Sequence, residues 1–158
     1  SPVLYDLTEH VGQASVMLRR RNGEQPCPWR AGPPGRGGLG AGPMMPAERF
    51  ECDPRHAWIF VGRTVNEDLD LHPRRCVWQH PAEAGSSVIT TFEDVPLGAR
   101  LVLYAGLYYE HERMREHPPF ELRVSVDGHE VAYMQHRDGD GAFGDGVTEL
   151  SSVTSGLH

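Results

Sequence analysis

The sequence predicts an all-β fold, an antiparallel two-sheet β-sandwich with at most one short N-terminal helix. Three observations predict it. Phe120, Leu122, Val124 and Val126 alternate with Glu121, Arg123 and Ser125. A period of two means a strand with one face in a core and the other in water. Asp127-Gly128 follows directly, and Val131 and Tyr133 resume the alternation beyond it. Asp-Gly between two alternating runs signals a hairpin, because a type I′ turn needs positive φ at both central residues. Short apolar runs also recur along the chain at roughly 8–12-residue spacing with turn residues between them, as in a sandwich or barrel. No βαβ alternation points to a parallel sheet.

The elements follow in order. Leu4, Leu7 and Val11 fall at helical spacing, with Asp6 or Thr8 placed to cap a short helix. Ala14, Val16 and Leu18 alternate with Ser15, Met17 and Arg19 in a first strand, ended by Asn22-Gly23. From Arg30 to Pro46 the chain reads RAGPPGRGGLGAGPMMP. Such a run buries too little apolar surface to offset its ordering entropy, so residues 30–47 are expected to form a long, flexible surface loop. A phosphate-cradling reading fails because no Gly-Lys-Ser/Thr follows. Trp58 and Phe60 alternate with Ala57, Ile59 and Val61 in a strand apolar on both sides, and Gly62 to Leu71 reads as a polar loop. In RRCVWQHP, Cys76, Trp78 and His80 alternate with Val77 and Gln79 until Pro81 stops the strand.

Val88 to Phe92 forms the next strand, with a turn at Pro96 and Gly98. Leu101, Leu103, Ala105, Leu107 and Tyr109 then share one side, and Val102, Tyr104, Gly106 and Tyr108 the other. A strand apolar on both faces is expected to be central. The hairpin follows, then the Gly/Asp loop HRDGDGAFGDG, and Val147 to Val153 as a last strand. The strands between Val88 and Met134 are expected to lie side by side and carry the rest of a single domain spanning residues 1–158.

Composition narrows the function classes. A length of 158 residues, 39% hydrophobic and 23% charged, is that of a folded domain rather than a disordered chain. No apolar run approaches the roughly 20 residues of a membrane-spanning helix. A net charge of −7 argues against a nucleic-acid surface, which needs a basic stripe. The basic cluster Arg19-Arg20-Arg21 reads as a guard on a strand edge. Ser1-Pro2 opens directly into structured-looking sequence with no leader pattern, as in a mature form or an excised piece. Cys27, Cys52 and Cys76 make an odd count without a CxxC, so a structural zinc is not expected. In an exported protein two would pair. Cys27–Cys52 would tether the Gly/Pro loop, Cys52–Cys76 is equally allowed, and three thiols are a third state.

The succession CVWQHP, VITTF, DVPLG, LVLYAGLYYE, FELRVSVDGHEV and DGDG, over roughly Trp58 to Phe143, resembles the jelly-roll modules of the galactose-binding-like class. That class includes many carbohydrate-binding modules of exported bacterial proteins. The resemblance implies a jelly-roll sandwich that binds sugar through loops or a concave face, in a secreted, periplasmic or cell-surface protein.

Candidate ligand-binding residues are Trp78, Tyr104, Tyr108, Tyr109, His111 and Arg113, with Trp58 beside them. Aromatic faces stack on the C–H groups of a sugar ring, and polar side chains take its hydroxyls. For Trp58, Trp78, Tyr104 and Tyr108 the competing expectation is core packing. Asp138, Asp140 and Asp145 alternate with glycine and could converge on Ca²⁺. That loop departs from the EF-hand at Ala142, and plain turn formation is the competing expectation. Glu110, His111, Glu112, Glu116 and His117 do not make a cupin site, because Arg113 stands where the second histidine belongs. No catalytic residue is assigned: no Gly-x-Ser-x-Gly elbow exists, and nothing around Glu93 or Glu121 points to a raised pKa. The sequence therefore reads as a non-catalytic module that binds carbohydrate or another cell-surface ligand. The alternative is a structural subunit of an envelope or extracellular assembly, a homo-oligomer or a larger complex.

Overall fold

The computed structural model describes residues 2–31, 45–66, 72–106 and 119–136, and the backbone alone of residues 67, 144–149 and 156–157. The chain is all-β and antiparallel, with one short helix among the described residues. It forms two compact units. One comprises Asp6–Glu67 and His72–Phe92; the other comprises Ser1–Tyr5, Asp68–Leu71 and Glu93–His158.

The first unit opens with a 3₁₀ helix, Leu7–Gln13, capped by Asp6, whose Oδ1 accepts the Thr8 N–H at 3.0 Å. Val11 is its buried residue, and Glu9 accepts from Arg63 and Arg75, which ties the helix to the sheet beneath. Strand β1 (Ser15–Arg20) turns Val16 and Leu18 inward, as its alternation predicts. It pairs with β2 (Gly23–Pro26) through a turn at Arg21 and Asn22. Its other edge pairs with β7 (Ser87–Thr91). A four-stranded sheet runs β3 (Trp29–Ala31), β4 (Glu48–Glu51), β5 (Phe60–Glu67), β6 (Pro73–Gln79). Residues 32–44, most of the Gly/Pro stretch, lie outside the described residues.

The buried cluster joins Val16, Leu18, Cys27, Phe50, Cys52, Ile59 and Val61, with Ala14, Val77, Ala82 and Val88 packed against it. Cys27 and Cys52 form a disulfide at its centre, with their Cα atoms 4.5 Å apart. The Cys27 N–H donates to the Val16 carbonyl and the Cys52 N–H to that of Ile59. Cys76 is therefore the free thiol, half-buried on β6, and burial pushes its pKa up to about 11. The Cys52–Cys76 alternative is overturned.

Phe60 and Val61 are both buried, so the start of β5 is covered on both faces. Two expectations are corrected here. The strand begins at Phe60 rather than Ala57, leaving Trp58 in a turn. It also continues to Glu67 through residues expected to be loop, because β6 pairs with it from Val61↔Gln79 to Glu67↔Pro73. A ladder of that length satisfies polar strand residues that local propensity does not favour.

The second unit contains β8 (Pro96–Leu97), β9 (Arg100–Ala105), β10 (Phe120–Val126), β11 (His129–His136), β12 (Gly144–Glu149) and β13 (Gly156–Leu157). The β10–β11 hairpin forms where Asp-Gly predicts it: Asp127 has φ 49° and Gly128 has φ 81°. Phe120, Leu122, Val124 and Val126 are half-buried, and the residues between them are exposed. Beyond the turn the expected phase does not hold. A bulge pairs Val124 with Ala132 but Ser125 with Glu130, leaving Val131 as the extra residue. Tyr133 consequently lies on the exposed face opposite Arg123.

Strand β9 is not central among the described residues. It pairs with β12 alone and alternates half-buried with exposed, showing Val102 and Tyr104 to solvent. Nor do the strands from Val88 to Met134 make one sheet: β7 joins β1, β9 joins β12, and β10 joins β11. The reason is where the apolar mass sits. The core around the disulfide draws β7 to β1, whose Val16 and Leu18 help build it. Of the last strand expected over Val147 to Val153, Val147 to Glu149 belong to β12, which begins earlier at Gly144, and residues 150–153 lie outside the described residues; β13 pairs with β8. No helix among the described residues is long and apolar enough to cross a membrane.

Candidate functional site

The turn from Cys52 to Ile59 joins β4 to β5 and gathers polar and aromatic groups: Asp53, Arg55, His56 and Trp58. The disulfide anchors one end, and the Cys52 N–H closes the loop onto the Ile59 carbonyl at 3.1 Å. Inside it the His56 N–H donates to the Asp53 carbonyl and the Ile59 N–H to that of His56. Asp-Pro initiates the turn, and the Asp53 side chain takes over backbone pairing: Oδ1 accepts the Arg55 N–H at 2.9 Å.

Asp53 is the hub. Arg55 Nε lies 3.3 Å from Oδ1, and Arg55 Nη2, Arg20 Nη2 and His56 Nδ1 lie 3.4, 3.4 and 3.3 Å from Oδ2. The Arg55 backbone N–H, then its guanidinium, then His56 hold the carboxyl well below the usual carboxylate range, outweighing the opposing effect of burial. Asp53 is covered rather than deep. Its side chain is 4% exposed because Arg55, itself 77% exposed, lies over it. Arg20 divides its charge between Asp53 and Glu83, its Nε donating to Glu83 at 2.9 Å.

The aromatic half is built on the facing strands. Trp78 of β6 and His80, just beyond its end, stack at 5.8 Å between centroids, and Trp78 stacks on Phe60 of β5 at 6.0 Å. Trp78 faces Gly62 across the ladder. A Cβ at that glycine would stand 3.0 Å from Pro46 Cγ and 3.3 Å from Arg49 Cβ, so the backbone approach requires glycine. Trp78 Nε1 donates to the Trp58 carbonyl at 2.8 Å. Trp58 lies 5.0 Å from His56 between ring centroids and is 50% exposed. The result is a half-exposed indole on a short, doubly anchored turn, with an imidazole and a guanidinium close by. No group of three or more His, Cys, Asp or Glu among the described residues is arranged to hold a metal.

The sequence-predicted residues fall as follows. Trp78 is half-buried in this array, and Trp58 sits on it, exposed rather than in the core. The turn hydrogen bonds lift Trp58 out of the strand that periodicity assigned to it. Tyr104 lies on β9 in the other unit, 67% exposed, which corrects its core expectation. Tyr108, Tyr109, His111, Arg113, Asp138 and Asp140 lie outside the described residues. Asp145 pairs with Tyr104 through its backbone, and its side chain lies outside the description. Sequence reasoning missed Asp53, Arg55 and His56. The available signal was Asp-Pro two residues before a histidine and immediately after a cysteine.

A second polar group lies on the outer face of β10 and β11. The Arg123 guanidinium carbon stands 4.7 Å over the Tyr133 ring, and its Nη1 donates to Glu130 at 2.9 Å. Tyr133 donates its hydroxyl to Glu121 at 2.9 Å. These bonds raise the pKa of both Arg123 and Tyr133, Glu130 acting first on Arg123 and Glu121 on Tyr133. The four groups satisfy one another on an exposed surface. Arg19 pairs with Glu24, but β1 lies between β2 and β7, so the edge-guard expectation is corrected: the arginine sits on a central strand.

No protein-family model, curated protein or solved structure matches this chain.

Proposed function

We propose that this chain is a non-catalytic carbohydrate-binding module of an exported protein. The observation that carries the reading is the half-exposed Trp58, held by the Trp78 hydrogen bond beside His56 and Arg55. A flat apolar ring on a braced turn, flanked by hydrogen-bonding groups, suits a sugar, which offers C–H groups on one face and hydroxyls at its rim. Covering about 100 Å² of indole is worth ~2.5 kcal/mol before ordering costs. A few hydrogen bonds of about 1 kcal/mol each bring binding to roughly the millimolar range. The buried disulfide supports an oxidising compartment, hence a secreted, periplasmic or cell-surface location. A jelly-roll arrangement of the sheets, of the galactose-binding-like kind in a bacterial protein, belongs to this reading, as does Ca²⁺ at Asp138, Asp140 and Asp145.

Affinity electrophoresis through gels carrying polysaccharides tests it. Wild-type protein should be retarded by at least one polymer, and Trp58→Ala should run freely. Absence of retardation by every glycan, together with an unchanged glycan-array signal for Trp58→Ala, would reject the module.

A second reading, a homo-oligomeric assembly subunit, is favoured by the exposed Val102 and Tyr104 on one face of β9. It predicts an oligomer by size-exclusion chromatography that Tyr104→Ser disperses, and no sugar binding.

A further inference from the structure

We infer that the sugar taken by the Trp58 face is an anionic one, a residue bearing a carboxylate or a sulfate that Arg55 and His56 hold while the ring stacks on the indole; this rests on the carbohydrate-binding reading. The turn separates its charges by depth. The Asp53 carboxylate is 4% exposed and the Arg55 guanidinium over it 77% exposed, so the pair presents its positive end to solvent. Arg55 commits Nε and Nη2 to Asp53, while Nη1 has no hydrogen-bond partner among the described residues. A guanidinium already oriented by two bonds loses little freedom on taking up an anionic ligand, and a charge-assisted bond is about twice as strong as a neutral one. His56 is oriented in the same way, its Nδ1 held at Asp53 and its Nε2 left as the ring nitrogen away from the carboxylate. The nearby acid that is exposed, Glu83, is drawn to Arg20. A neutral sugar would meet Arg55 Nη1 and His56 Nε2 with hydroxyls alone and gain no charge-assisted bond.

The net charge of the chain, −7, sharpens the test, because the overall field opposes polyanions and retention must come from a local site. The probes are polygalacturonic acid against its fully methyl-esterified form, and dextran sulfate against dextran, in affinity gels run with the full chain. The expected result is at least tenfold tighter retention by one or both acidic polymers than by the neutral counterpart; which acid retains the protein distinguishes carboxylate from sulfate. Arg55→Gln should abolish that preference, and Arg55→Lys should keep part of it. Equal retention by charged and neutral partners would overturn the inference while leaving the sugar-binding reading intact, as would an acid preference that survives in Arg55→Gln. Failure of all four polymers and of a neutral glycan array would overturn both. The ester-against-acid comparison uses unsubstituted protein, so an absent acid preference overturns the inference even if Arg55→Gln unfolds, and Arg55→Lys, which keeps the charge, then reports whether a preference found depends on the Arg55 guanidinium.

Discussion

Trp78 Nε1 donates to the backbone carbonyl of Trp58 across 2.8 Å, joining a strand side chain to the turn that precedes the neighbouring strand. A buried or half-buried indole N–H needs an acceptor, and this one takes it from a turn carbonyl outside any ladder. The bond therefore sets the height at which Trp58 stands above the sheet.

Replacing Trp78 with phenylalanine keeps a ring against Phe60 and removes the donor. The expected loss is about 1 kcal/mol from the hydrogen bond, plus a smaller packing deficit from the smaller ring. Urea unfolding measures it. The same variant should weaken sugar retention by loosening Trp58, with its exposed ring chemically unchanged. A variant as stable as the parent would show that the bond is dispensable.

Reducing the Cys27–Cys52 disulfide should be costly. It closes a sequence separation of 25 residues, for which the chain-entropy account gives about 3.5 kcal/mol. Denaturant midpoints with and without dithiothreitol, and a Cys27→Ala/Cys52→Ala double variant, should agree to within about 1 kcal/mol on that loss. A midpoint insensitive to reductant would contradict a bond at the centre of the core.

Cys76 gives a complementary readout. Its thiol is half-buried with its pKa raised to about 11, so the thiolate that reacts is scarce at neutral pH. Labelling by a maleimide at neutral pH should be slow in the folded protein and fast in urea. One thiol should titrate in the oxidised chain, and three after reduction under denaturing conditions. Rapid labelling of native protein would place Cys76 at the surface.

These outcomes also separate what was legible in the amino-acid order from what was not. The β10–β11 hairpin was legible because Asp127-Gly128 and the Phe120–Val126 alternation are local facts. The polar half of β5 was not, because its strand character comes from pairing with β6, seen in no single window. Val131 was read in phase because nothing adjacent to it announces a bulge. At the candidate site, Trp58 and Trp78 stood out as aromatics. The Asp53 hub did not, since one of its partners, Arg20, is brought from β1 only by the fold. Periodicity read Trp58 through to Phe60 as one strand; the Asp53 turn bonds outweighed it.

Glycine positions in the two units should respond differently to alanine. Gly128 has φ 81° and nothing within 4 Å of where a methyl group would stand, so Gly128→Ala costs only the left-handed backbone, about 1 kcal/mol. Gly62 has an ordinary backbone and crowded neighbours, so Gly62→Ala must displace Pro46 or Arg49. The expected loss is about 1–3 kcal/mol, as for other overpacked sites. Thermal unfolding should rank Gly62→Ala as the more harmful, and the reverse order would show that the Pro46 side chain yields freely.

Asp53 should make stability depend on acid. Its folded pKa is depressed below the ordinary 3.8, so the native state binds its proton less readily than the unfolded chain does. The contribution is fully present above the ordinary value and is lost as pH falls from there towards the native one. Asp53→Asn removes the charge at every pH, keeps an oxygen for the Arg55 N–H, and leaves Arg20 and Arg55 without their shared anion. The difference in unfolding free energy between wild type and Asp53→Asn should therefore be constant from about pH 7 down to about pH 5, then shrink steadily as the acid is titrated below that. Because Arg55 is open to solvent, raising the salt concentration should reduce the difference only in part, the backbone N–H bond being short-ranged. A difference that grew on acidification would mean that the carboxyl is destabilised in the fold, and the Asp53 hub would have to be abandoned.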